Sequence, residues 1–380
     1  MALQRRDMSQ VVTYTPSMTR PRWLGQIGHV NALKYSWALP GGADQLSCTL
    51  LVEANTRTDA MDPGRIVQVY RGGGVIWEGI LNEPAQTSSG WSISAVGAGN
   101  YGTNYEAIYT STWPASQPDQ SINNAISRGL RWVNPGIGTP SGIWLGQPID
   151  SGSQSITDLL NLNCTYGGLT WQVTTGPSGN VLSMFTLPTT VNRLLTVRQP
   201  APRTLGGDFN VLWLRYQSSA DDPTGSGNPA VYSLTSATVP ASIAAHGQRE
   251  AFLDLSSAGT LSTGAAQAVG NSVLQRYQRA NFAGPFAVGA GDIMTTGGQA
   301  MDVGSNHAGT VVQLVLVDYG YGGEVVLGPV TFLVGSYEYD DNTLTGTLAP
   351  FQYLNNSFSG LLSAASTTLP QPVSVSSPTS

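Results

Sequence analysis

Residues 62–84 restrict the possible fold more than any other stretch. They read Asp-Pro-Gly-Arg-Ile-Val-Gln-Val-Tyr-Arg-Gly-Gly-Gly-Val-Ile-Trp-Glu-Gly-Ile-Leu-Asn-Glu-Pro. Pro63-Gly64 opens on a turn. Ile66 to Arg71 is a short β-rich run. Side chains alternate along a strand, so Val67 and Val69 share one face and Ile66, Gln68 and Tyr70 the other. Gly72-Gly73-Gly74 supplies the positive φ angles of a tight reversal. Val75 to Leu81 runs back, with Trp77 and Leu81 on one face and Ile76 and Ile80 on the other. Pro84 ends the strand because proline has no N–H for a ladder. Few polar side chains lie on either face, so this hairpin needs cover on both sides. That places it in a barrel or a packed sandwich.

The rest of the first hundred residues continues in this manner. Val11–Tyr14, Ala32–Leu39, Leu46–Val52 and Trp91–Ala95 read as further short strands, and Pro40 to Asp44 as a loop. Residues 1–100 are therefore expected to form a small barrel or sandwich. Beyond Gly97 the pattern changes. Ile122, Ala125, Ile126 and Leu130 fall at helical spacing after Asp119, a good N-cap. Gln154–Cys164 predicts a second short helix. Leu169–Val173 and Val181–Leu187 predict a hairpin across Gly176–Gly179. Phe209–Tyr216 and Val231–Ala237 predict strands on either side of a polar loop at 220–229. Ser262 or Thr263 caps the strongest helix, whose stripe is Ala265, Ala266, Val269, Val273 and Tyr277.

From residue 309 the chain is β again. Gly309-Thr-Val-Val-Gln-Leu314 echoes Gly64-Arg-Ile-Val-Gln-Val69. Each is followed by a Gly-rich turn, then a return strand holding a glycine, Gly79 or Gly328, and one more alternating strand. This reads as a weak internal repeat. Chance likeness of two glycine-bounded hairpins is the rival reading. Residues 357–380 are rich in Ser, Thr, Pro and Leu without a period.

Composition narrows the function. Only 11% of the 380 residues are charged, against the usual quarter or so. A surface so poor in ions suits a chain largely covered by partner subunits, since interface cores are depleted of charge. The net charge of −6 excludes a general affinity for nucleic acid. Apolar runs stay at strand length, far short of the roughly 20 residues that span a bilayer. The N-terminus, Met-Ala-Leu-Gln-Arg-Arg-Asp, lacks the apolar segment of a signal peptide. Cys48 and Cys164 are the only cysteines and read as free buried thiols, with pairing left open.

The pattern Gly-Arg-hydrophobic-x-Val-Tyr-Arg-Gly-Gly, then Trp-x-Gly-x-Leu-x-Glu-Pro, resembles the minor tail proteins of long-tailed bacteriophages. In particular it is similar to their baseplate or tail-tip hubs. Leu159-Leu160 with Gly168-Leu-Thr-Trp171, Gly247-Gln-Arg-Glu250 with Leu253-Asp-Leu255, and Val330–Val334 with Leu344–Leu348 extend the likeness over most of the chain. The resemblance implies a mainly β fold with an α+β insertion: two related small β-barrels and a discontinuous α/β domain. On this chain the first barrel takes residues 1–100 and the α/β domain residues 101–203 and 246–299. The second barrel takes 204–245 and 300–356, and the extension at 357–380 lies on a partner. It also implies a homotrimer whose paired barrels make a pseudo-sixfold ring at the virion tail tip. Its partners would be a distal tail protein, a tape measure protein and other tail-tip or fibre proteins. Phage DNA would pass through transiently, without stable nucleic-acid or membrane binding. The expected ring hairpins are Val67, Val69, Tyr70, Gly72, Gly73, Trp77 and Gly79, and Val312, Leu314, Gly328, Val330 and Phe332. Many hubs continue into a fibre or a peptidoglycan-cleaving domain, and none is expected here. A distal-tail-type adaptor or carbohydrate-binding tail module is the alternative.

Catalytic chemistry finds little support. Three histidines, His29, His246 and His307, occur without a zinc-protease, nucleophile-elbow or P-loop pattern. Cys164 with a distant histidine would mimic a thiol hydrolase, but sits at the apolar end of a short helix. Glu78 and Glu83 are five apart and alternate across faces, against a glycosidase pair. Asp340-Asp341-Asn342 reads as a hairpin turn rather than a cation site. Arg20, Arg22 and Trp23 read as an interface segment. No enzyme activity, cofactor or metal is expected, and a cell-wall hydrolase is the third, disfavoured class.

Overall fold

A computed structural model describes residues 9–15, 22–26, 30–51, 58–88, 90–104, 120–127, 130, 132–138, 155–167, 169–176, 179–196, 203–204, 209–218, 232–255, 260–277, 281–282, 284–316 and 330–351. Asp119, Gly328, the loop at 220–229 and the extension at 357–380 lie outside these described residues.

The first hundred residues give eight strands: β1 (Gln10–Thr15), β2 (Arg22–Gln26), β3 (Val30–Ala38), β4 (Gly41–Leu50), β5 (Ile66–Arg71), β6 (Gly74–Leu81), β7 (Ala85–Thr87) and β8 (Gly90–Gly97). Hydrogen bonds join seven of them in the order β2-β1-β5-β6-β8-β4-β3, with β7 paired to β8, all antiparallel. The expected loop at Pro40–Asp44 is a correction. The reversal is confined to Leu39 and Pro40, and β4 starts at Gly41. The reason is contact with another strand: a Cβ on Gly42 would lie 2.2 Å from the Val173 carbonyl oxygen. Glycine there keeps a strand where its turn-forming habit suggests a loop.

The middle of the chain holds α1 (Tyr101–Asn104), α2 (Ser121–Ser127), β9 (Val133–Gly138), α3 (Ile156–Gly167), β10 (Leu169–Gly176), β11 (Gly179–Thr186), β12 (Arg193–Thr196) and β13 (Arg203–Thr204). Next come β14 (Val211–Ser218), β15 (Tyr232–Thr238), α4 (Pro240–His246), β16 (Glu250–Asp254), β17 (Thr260–Leu261), α5 (Thr263–Tyr277) and β18 (Asn281–Phe282). A reciprocal cap starts α3: Asp158 N–H donates to Ser155 Oγ at 3.1 Å, and Ser155 N–H to Asp158 Oδ2 at 3.2 Å. Ser262 Oγ accepts from Ala265 N–H at 3.1 Å and caps α5. Strand β14 pairs with β15 antiparallel and with β16 and β17 in parallel. Leu212, Leu214 and Tyr216 of β14 share one buried core with Ala265, Ala266 and Val269 of α5, and with Trp171 and Leu182. Strands β14 and β15, which the sequence places with the second β-unit, thus pair with β16 and β17 and share their core with α5.

The chain closes with β19 (Phe286–Val288), β20 (Ile293–Met294), β21 (Val311–Leu316), β22 (Val330–Asp340) and β23 (Thr345–Pro350). Strand β22 is long and shifts register between Val334 and Ser336. Its first half pairs with β21 and its second half with β3. The two ends of the chain therefore share one 17-stranded sheet and one core. No closed barrel is found among the described residues. The seam places Tyr35 opposite Tyr339 and Trp37 opposite Tyr337. Their rings meet at centroid distances of 5.2 and 5.9 Å. Trp77 Nε1 donates to the Ser36 carbonyl at 3.0 Å, while Tyr35 and Tyr337 donate to the carbonyls of Gly304 and Val303. Trp77, Tyr35 and Tyr337 thus cover apolar area and satisfy their polar tips.

Candidate assembly site

The hairpins singled out in the sequence are β5–β6 and β21–β22. Their closures match atom for atom. Gly64 N–H donates to the Leu81 carbonyl at 2.8 Å, and Leu81 N–H to the Arg65 carbonyl. Gly309 N–H donates to the Val334 carbonyl at 2.9 Å, and Val334 N–H to the Thr310 carbonyl. Both glycines hold the positive φ this needs, +83° and +85°. Past the closure, Val67 faces Gly79 and Val312 faces Phe332. The echo in sequence is therefore an echo in backbone, although Phe332, not Gly328, is the counterpart of Gly79.

Most of the side chains expected at ring positions point inward. Val67, Val69 and Trp77 are wholly buried, as are, nearly so, Val312, Leu314, Val330 and Phe332. A Cβ on Gly79 would lie 2.4 Å from the Trp77 ring and 2.5 Å from the Val96 carbonyl oxygen, so only glycine lets β6 and β8 meet. Gly72 and Gly73 form the exposed turn, with φ of +58° and +85°. Tyr70 is half-buried.

Two polar networks flank the first hairpin. Arg71 is buried and ties it to the far end of the chain. Its guanidinium donates from Nη2 to Asp302 Oδ1 and from Nη1 to Asp341 Oδ1, both at 2.8 Å. It also lies 4.9 Å from the Tyr339 ring centre. The second network starts at β1. Tyr14 meets Tyr70 at 2.8 Å, Tyr70 donates to Gln68 Oε1 at 2.8 Å, and Gln68 Nε2 donates to Glu78 Oε2 at 2.6 Å. Asn180 of β11 donates to the other Glu78 oxygen. Burial raises the Glu78 pKa above its ordinary value, partly offset by these two amide donors. This chain of contacts runs from β1 through the first hairpin to β11. A cleft of about 520 Å³ opens over β3, β4 and β8, among Lys34, Ser36, Asp44, Gln45, Asn100 and Glu338. Much of its lining is self-satisfied: Asn100 Nδ2 donates to Asp44 Oδ1 at 2.6 Å, and Lys34 pairs with Asp340 at 3.2 Å.

No protein-family model matches the chain, and neither does any curated protein. Solved structures do. Prophage tail protein gp18 from Listeria monocytogenes EGD-e aligns at a TM-score of 0.58 and 11% identity, over 95% of this chain and 99% of that one. The prophage MuSo2 43 kDa tail protein from Shewanella oneidensis aligns at 0.56 and 12% identity, over 91% and 98%. The tail protein from Neisseria meningitidis MC58 aligns at 0.56 and 11% identity, over 90% and 95%. The chain has the fold of phage tail proteins.

Within this tail-protein fold the other candidate residues fall apart as sites. Glu78 is buried and Glu83 exposed, so they form no pair. Cys48 and Cys164 are buried and form no disulfide, and burial pushes the Cys48 thiol up to about 12. Asp340 Oδ1 accepts from the N–H groups of Asn342 and Thr343, which makes the acidic stretch a turn. His307 is half-buried and desolvation lowers its pKa, whereas His246 is exposed on α4; His29 and Arg20 lie outside the described residues. Among the described residues no three His, Cys, Asp or Glu side chains gather as a metal site needs, and no helix is long and apolar enough to cross a membrane. Sequence reasoning missed the Arg71 clamp, the Glu78 relay and α4. The one available signal was an arginine closing an otherwise apolar strand in a chain with few charges.

Proposed function

We propose that this protein is the structural hub of a phage tail tip and not an enzyme. Three copies form a ring that joins the tail tube and distal tail ring to the tip and leaves a channel for DNA ejection. The observation that carries this reading is the matched pair of hairpin closures at Gly64/Leu81 and Gly309/Val334. A threefold ring with two equivalent β-units per chain offers six similar positions to a sixfold tube. The inward-facing side chains named above set the shape of each unit, and the hairpin backbones and the exposed Gly72–Gly73 turn occupy the ring positions. The low charge fits a perimeter that is mostly interface. A mildly acidic or neutral bore would not trap phosphates. Distal tail, tape measure and fibre proteins are the partners of this reading, and the extension at 357–380 would lie on one of them. The test is the copy number in intact tail tips by image averaging. Three copies are expected. Six copies would assign the chain to the adaptor ring and leave the duplicated closure without a role.

A further inference from the structure

Both hairpins of the repeat are tied to the same pair of strands, β10 and β11, and each tie lies beside an ionisable side chain. On the first hairpin, Glu78 accepts from Asn180 of β11. Asn180 is pinned in that orientation: its Nδ2 also donates to the Trp132 carbonyl at 3.3 Å, and its Oδ1 accepts from Thr175 Oγ1 at 2.8 Å. At the base of the second hairpin, Gln172 of β10 donates from Nε2 to the Ala308 carbonyl at 3.1 Å. The same carbonyl accepts from His307 Nδ1 at 2.7 Å, because a carbonyl has no hydrogen to give. Gly309, whose N–H closes this hairpin, is pressed on the Gln172 amide: a Cβ there would lie 3.1 Å from Gln172 Oε1. Gln172 and Asn180 are both buried.

The two ionisable groups meet opposite surroundings. Glu78 faces Gln68 of β5 and Asn180, with Tyr70 and Tyr14 beyond Gln68, and no cation among the described residues offsets its charge. Ionisation therefore leaves an uncompensated charge between β6 and β11. His307 faces Arg193 of β12, and its Nδ1 bond leaves Nε2 as the site for a second proton. Protonation therefore sets two cations against each other. Arg193 is itself held to the second hairpin. It pairs with Val312 of β21, and Asn192 before it exchanges hydrogen bonds with Val311. Desolvation accordingly raises the Glu78 pKa above its ordinary 4.5 and lowers that of His307 below its ordinary 6.5. Stability from neutral Glu78 is full below 4.5 and is lost as pH rises through the raised folded value. Stability from neutral His307 is full above 6.5 and is lost as pH falls through the lowered one.

We propose that β10 and β11 seat the two hairpins through ties that respond to pH in opposite directions, so that base loosens the first hairpin and acid the second. The device lies within one chain and stands or falls apart from the copy number of the ring.

Hydrogen–deuterium exchange of the full chain, read by mass spectrometry and corrected for the intrinsic pH dependence of exchange, tests it. Between pH 4.5 and 6.5, protection at residues 66–81 is expected to fall with rising pH, while protection at 311–316 and 330–334 rises. Each changes by up to about tenfold per pH unit, the limit for one proton. Glu78→Gln is expected to abolish the first trend and keep the second, and His307→Gln to do the reverse. Trends that run in the same direction, or that survive in the matching variant, overturn the proposal. If either variant fails to fold, the neighbour of its ionisable group is changed instead. Gln68→Met withdraws a donor from the carboxylate and Arg193→Met a cation from the imidazole, so each is expected to move its own trend to higher pH. A trend that stays in place overturns the tie concerned.

Discussion

Glu78 is a buried carboxyl whose hydrogen bonds come from two amides rather than a cation. Its folded pKa lies above the ordinary 4.5 because burial disfavours the charge. The stability it contributes is therefore full below 4.5 and is lost as pH rises through the raised folded value. Glu78→Gln imitates the protonated form and removes this dependence. The melting-temperature advantage of wild type over Glu78→Gln is expected to shrink as pH rises from 4 to 8. An advantage that grows instead would mean that the ionised form is the one the site favours. Gly79 next to it gives a steric prediction. An alanine there must displace the Trp77 ring or the Val96 carbonyl, an overpacking cost of about 1–3 kcal/mol. Urea unfolding of Gly79→Ala measures it. The glycine itself was legible as part of a hairpin motif, but its reason was not. Contact with β8 and the Trp77 ring is a tertiary fact that strand alternation does not contain.

Elements read well wherever glycine, proline or a capping residue marks their ends. The β5–β6 hairpin appeared where Pro63-Gly64, the glycine triplet and Pro84 bound it, and α5 where Ser262 precedes an alanine stripe. Ser262→Ala is expected to cost about 1 kcal/mol through the lost bond to Ala265 N–H, read by thermal unfolding. Helix α4 escaped notice because none of its residues is buried, and an uncovered helix writes no apolar stripe. Joints between elements were the least legible. Arg71 finds its carboxylates 231 and 270 residues away, at distances no sequence spacing encodes. Removing it leaves Asp341, whose side chain is 9% exposed, without a counter-charge. Arg71→Met is expected to destabilise the chain by about 3 kcal/mol, the range for breaking a buried pair. Arg71→Lys restores the charge but not the two-pronged geometry, and should recover only part. Full recovery with lysine would make charge alone sufficient.

At the scale of the whole molecule, the two ends of the chain depend on each other. The sequence reading drew residues 1–100 as a barrel of its own. The structure makes β3 share its free edge and its aromatic face with β22. Tyr35 and Trp37 pack on Tyr339 and Tyr337, and one core runs from Val11 to Leu348. The repeat was visible in sequence, but the seam between its copies was not, because both faces of either hairpin are apolar enough for several partners. A fragment of residues 1–100 would expose the β3 edge, half of the aromatic cluster and an uncompensated Arg71. Such a surface favours association over folding. The isolated fragment is therefore expected to lack the near-UV circular dichroism of packed Tyr and Trp and to unfold without a cooperative transition. Residues 101–356 supplied in trans should restore both signals, since they bring β22, Asp302 and Asp341. A fragment that melts cooperatively alone, with native near-UV bands, would show that the first β-unit carries its own core. The shared seam would then be a docking contact between two finished domains.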